Sequence, residues 1–128
     1  MSRIVHFEIH ASQPQVLMDF YTSLFAWKFQ QWGDMEYWQI ETGAADQAGI
    51  NGGLVRRRGL TPLEGQAVNA FVCTVQVTSV DEFFSKALSL GASAAMPKMP
   101  IAGVGWLAYI KDPDSNLIGL MQPDAAAK

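Results

Sequence analysis

The chain has 128 residues, a mass of 14.0 kDa and a formal net charge of −3, with 49% hydrophobic and 16% charged residues. That length suits one compact domain with a real core, and the acidic balance argues against a nucleic-acid partner. No apolar run approaches membrane-spanning length, and a single cysteine, Cys73, excludes an internal disulfide. With no secretory signal at Met1, the expected compartment is the cytoplasm. The apolar excess asks for an oligomer interface, an apolar pocket, or both.

Residues 3–24 read as one strand and one helix. Phe7, Ile9 and Ala11 alternate with His6, Glu8 and His10, so the two sets point to opposite sides of a sheet. Ser12 is the expected N-cap, and Pro14 is tolerated in the first turn because its missing N–H is not needed there. Leu17, Phe20, Tyr21 and Leu24 recur at helical spacing. The apolar strand face therefore packs under this helix, and His6, Glu8 and His10 face away from it, toward an enclosed space where polar groups need partners.

Strands are expected at 27–31, 35–42 and 50–57, the last containing Gly52 and Gly53, which signal a bulge or a close backbone approach. The segment 43–49 and the stretch RGLTPLEGQ at 58–66 read as loop and linker. A strand at 70–77, a helix at 79–90 ended by Gly91, and strands at 93–96, 105–111 and 117–122 follow. Residues 97–105 read as a flexible loop, 112–116 as a turn, and 125–128 as a frayed end. By its alternation Cys73 falls under the second helix, as a buried small hydrophobe.

A shift of about 66 positions lays the first half on the second. Phe7 falls on Cys73, Ile9 on Val75, Leu17 on Phe83, Leu24 on Leu90, and Gly53 on Gly119. The expected fold is α+β: two βαβββ modules related by an internal pseudo-twofold, with sheets curved around a central cleft. Module one covers about 1–58, a linker 59–68, module two 69–123 and a tail 124–128.

VHFEIHASQPQVLMDFYTSLFAW, with its Phe20-Tyr21 pair, and the closing VGWLAYIKDPDSNLIGLMQ resemble the opening and closing units of the vicinal oxygen chelate superfamily, the glyoxalase, bleomycin-resistance and extradiol dioxygenase fold. The likeness covers nearly the whole chain and is to bacterial proteins related to lactoylglutathione lyase. The resemblance implies four metal-ligand positions, which fall on His6, on or near Gly53, on Val72 and on Gly119. Only His6 carries a ligating atom, whereas a first-row ion needs about three protein ligands. Neither a metal nor a cofactor is therefore expected. The two glycines should widen the cleft floor, and Trp38 and Trp106 are the aromatics expected to fill it or to wall a flat ligand.

His6 and Glu8 are the candidate acid–base pair, with His10 as a binding residue. The alternative is that Glu8 hydrogen-bonds Tyr109, Lys111 or a histidine and only fixes the cleft. Val72, Thr74, Tyr109, Gly53 and Gly119 complete the expected ligand-binding set, and Tyr37 and Lys111 lie on strands whose facing one residue would reverse. Arg56-Arg57-Arg58 is either a solvated strand end or an anion contact. Asp112-x-Asp114-x-Asn116 lacks the glycine and glutamate of a calcium loop, and Gly103-x-Gly105-x-x-Ala108 precedes a strand instead of a helix, so neither motif holds. The expected function is binding of a small, partly apolar molecule without the family metal. A metal-independent lyase, isomerase or hydrolase using His6, Glu8 and His10 is the alternative, and a metal-dependent lactoylglutathione lyase or dioxygenase ranks below both. The resemblance further implies a homodimer.

Overall fold

Alternating and helical periodicities resolve into ten elements in the computed structural model, which describes residues 2–128. They are β1 (Phe7–Ala11), α1 (Pro14–Phe25), β2 (Lys28–Gln31), β3 (Tyr37–Glu41), β4 (Gly52–Arg56), β5 (Cys73–Gln76), α2 (Val80–Ser89), β6 (Ser93–Ile101), β7 (Gly105–Lys111) and β8 (Leu117–Pro123). The chain divides after Thr61 into two compact units. Each holds one helix and one four-stranded sheet, and neither sheet closes on itself.

In the first unit the strand order is β1-β4-β3-β2, with β1 parallel to β4 and the other pairs antiparallel. Ile9, Leu54 and Trp38 lie side by side on one face, and Phe7, Gly52 and Ile40 form the adjacent row. That face receives α1, whose Leu17, Tyr21 and Leu24 are buried together with Ile40 and Leu54. Burying each such side chain contributes about 1.5–3 kcal/mol. Tyr21 also stacks on Trp27, with centroids 5.1 Å apart, and meets Phe20 edge-on at 4.9 Å. The expected Ser12 cap is corrected: the N-cap is Gln13, which makes no side-chain cap bond, and the Ser12 hydroxyl lies 2.8 Å from that of Thr61. Pro14 at the start leaves fewer N–H groups to satisfy. Ala26 closes the helix at φ 60°, donating its N–H to the Thr22 carbonyl at 2.9 Å.

The second unit repeats this plan in the order β5-β8-β7-β6. Here α2 does have a side-chain cap, since Ser79 accepts the Glu82 N–H at 3.2 Å, and Asp81 and Glu82 suit the helix N-terminus. Three expectations fail. Residues 97–101 are not loop but the second half of β6, with register irregularities between Ala94 and Met99. Pro97 and Pro100 signal a break, yet β6 is an edge strand, where a missing N–H costs no ladder bond. The tail is pinned: Ala127 is only 3% exposed and its carbonyl accepts the Gly103 N–H at 2.9 Å. Cys73 has the expected parity, shared with Val75 and Val77, but it starts an edge strand ahead of the helical cover and is exposed. The 112–116 turn is built on Asp112, whose carboxylate accepts the backbone N–H groups of Asp114 and Asn116 and the Asn116 side-chain amide.

Candidate functional site

Strand parity puts the polar residues of the first unit on the face that α1 leaves free. Glu8, Gly53, Gln39 and Gln30 form one row across all four strands, and His10, Val55 and Tyr37 form the next. His6, just ahead of β1, points its Nε2 at the Tyr37 hydroxyl, 3.0 Å away. Glu8 and His10 are neighbours on the same side of β1, with an ion-pair distance of 3.5 Å. The face was expected to be enclosed, but within its own unit it is open, and His6, Glu8 and His10 are exposed.

The phenol of Tyr37 leans over Gly53. A Cβ built on Gly53 would lie 2.0 Å from Oη and 2.3 Å from Cζ. Position 53 therefore lacks a side chain because the tyrosine occupies its volume. Burial raises the Tyr37 pKa above its ordinary value, and the nearby Glu8 carboxylate raises it further. The phenol is thus held neutral, as a hydrogen-bond donor and acceptor. The Arg run is tied down locally: Arg56 pairs with Glu36 and donates to the Ser12 carbonyl, and Arg57 donates to that of His10.

Both candidate tryptophans are on the wrong face. Trp38 pairs with Leu54 on the helix side, and with Pro14, Val16, Met18 and Arg56 it lines a groove of about 410 Å³ at the start of α1. Trp106 pairs with Pro100 and Gln122, donates its indole N–H to Asp124 at 3.0 Å, and lies 4.9 Å below the Lys98 ammonium, which also bonds Asp81. The Trp106 hydrogen bond, then the Ala126 N–H, lowers the Asp124 pKa.

On the second unit's free face, Thr74, Gly119, Tyr109 and Met96 form one row, and Gln76, Met121, Leu107 and Met99 the next. A Cβ on Gly119 would lie 2.7 Å from the Thr74 hydroxyl and 3.1 Å from the Tyr109 ring. Val72 is exposed ahead of β5. This face is thus richer in sulfur and apolar carbon than its counterpart.

No family model matches the sequence, and no curated protein does. Solved structures do match. A glyoxylase/bleomycin resistance protein/dioxygenase domain from Frankia sp. EAN1pec has a TM-score of 0.72 at 18% identity, covering 97% of this chain and 99% of that one. A variant of the fosfomycin resistance protein FosX from Listeria monocytogenes, complexed with Mn(II) and dihydroxypropylphosphonic acid, scores 0.71 at 18% identity over 97% and 92%. TioX from Micromonospora sp. ML1 scores 0.66 at 16% identity over 96% and 100%. The chain thus has the fold of these glyoxalase/bleomycin resistance/dioxygenase structures.

The residues that the sequence resemblance puts at metal positions do not form a set of side-chain donors. Of His6, Gly53, Val72 and Gly119, one has a donor atom, and the space over each glycine is filled by a neighbouring side chain. Among the described residues no group of three or more His, Cys, Asp and Glu side chains is placed to hold a metal. Sequence reasoning named Gly53 but chose Trp38, not Tyr37, as the filler. The available signal was Ile40: once it is taken as core, parity turns Trp38 under the helix and Tyr37 out.

Proposed function

We propose that this chain binds a small, partly apolar, oxygen-bearing molecule on the free face of its first sheet, and does so without the metal ion typical of its fold. The observation that carries this reading is the Tyr37 phenol over Gly53, 3.0 Å from His6. It sets a neutral O–H beside an imidazole on the free face of the first sheet. Glu8 and His10 supply a second pair on the same face. Binding is tested on protein purified without added ligand, by native mass spectrometry before and after EDTA. The expected result is an organic adduct that survives chelation. About one divalent ion per chain, whose removal abolishes the adduct, would overturn the reading.

A second reading, a metal-independent lyase, isomerase or hydrolase, is favoured by the 3.5 Å Glu8–His10 contact beside His6. It requires that His6→Ala and Glu8→Ala abolish turnover of an epoxide or enolisable acid while binding persists. Homodimerisation belongs to the same proposal. Its support is the apolar lead-in to the edge strands β1 and β5, with Val5 76% and Phe71 96% exposed in the single chain.

A further inference from the structure

Building on the binding reading above, we propose that Tyr37 selects the ligand, and that the ligand is a neutral ketone or alcohol on an aromatic or alicyclic body. Three features of the first unit converge on that chemistry.

The first is the hydrogen-bond arithmetic of the His6–Tyr37 pair. An imidazole nitrogen and a phenol 3.0 Å apart share one proton between them. With Nε2 protonated, the imidazole donates to Oη and the phenol proton is free for a ligand carbonyl. With Nε2 bare, the phenol donates to it and Oη accepts from a ligand hydroxyl. Both tautomers leave a binding-competent oxygen, and neither requires the ligand to carry charge.

The second feature is Glu8. It pairs directly with Gly53, the residue over which the phenol lies, so its carboxylate borders the same spot. An anionic ligand oxygen there meets a like charge, and a neutral one does not. The third is an apolar wall. Trp32 is 59% exposed and meets Tyr37 edge-on at 6.3 Å, Met35 is 62% exposed in the adjoining turn, and Val55 pairs with Tyr37 and with His10. Flat carbon bodies suit such a wall.

Four probes on one scaffold separate these terms: acetophenone, 1-phenylethanol, benzoate and ethylbenzene, titrated into the full chain by saturation-transfer NMR. The ketone and the alcohol are expected to bind about 3- to 10-fold tighter than ethylbenzene, the margin of one hydrogen bond, with benzoate weakest. Tyr37→Phe should erase that margin while leaving ethylbenzene unchanged. Gly53→Ala should erase it too, by displacing the phenol without altering its chemistry. A margin that survives both variants, or a preference for benzoate, overturns the assignment of Tyr37 and leaves the binding reading standing. If none of the four binds, the binding reading falls together with it.

Discussion

Gly53 and Gly105 look alike in the sequence and answer to different neighbours. A Cβ on Gly53 meets the far end of a tyrosine, which can swing aside; one on Gly105 would lie 2.2 Å from the Gln122 carbonyl oxygen, which cannot. Gly53→Ala should therefore change stability by less than about 1 kcal/mol and Gly105→Ala should cost about 1–3 kcal/mol in urea denaturation, by overpacking. Equal losses at the two sites would contradict the placement of the phenol. Tyr37 makes a second prediction. Its folded pKa is raised, so its contribution to stability is complete below the unfolded value of about 10 and is lost as pH rises through the folded pKa. Spectrophotometric titration should show a phenolate component above the ordinary range. Tyr37→Phe should remove that component, and Glu8→Gln should move its midpoint down while burial keeps it raised. The glycine was legible as a bulge or a close-approach site because two adjacent glycines stand in a strand. The residue covering it was not, since the facing of β3 hangs on a single-residue register.

The two helices start and stop by different means, and their ends give contrasting predictions. Ala26 holds a left-handed φ of 60° that favours glycine, so Ala26→Gly should stabilise the protein by about 1 kcal/mol. Ser79→Ala removes the cap of α2 and should cost about 1 kcal/mol. Thermal melts of the two variants should move in opposite directions, and a shared direction would refute the cap assignments. Helix and strand positions were readable almost throughout, because long periodic runs such as Leu17, Tyr21 and Leu24 outvote local noise. What was misread lay where punctuation residues sit at a sheet edge: Pro97 and Pro100 in β6, and Ser12 next to a proline-started helix.

At the scale of the molecule, the repeat was the most legible feature, because two runs with the same apolar spacing need two copies of the same unit. The openness of the polar sheet face was not legible, since alternation gives the direction of a side chain and says nothing of what covers it. The apolar lead-ins and unpaired strand edges predict self-association. Sedimentation should show a concentration-dependent dimer that Phe71→Asp shifts toward monomer; an unchanged distribution would remove these segments from the interface. In acid, the lowered Asp124 pKa implies that the stability contributed by the ionised carboxylate is complete above the unfolded carboxylate pKa of about 4 and is lost as pH falls through the folded value, so Asp124→Asn should flatten the acid limb of the stability curve.

The bare positions 53 and 119 correspond under the repeat, but the rings beside them do not. Tyr37 reaches Gly53 from the rung opposite Val55, while Tyr109 stands directly across from Gly119. The same backbone gap is thus filled along a diagonal in the first half, and by the Thr74 hydroxyl together with a ring straight across in the second.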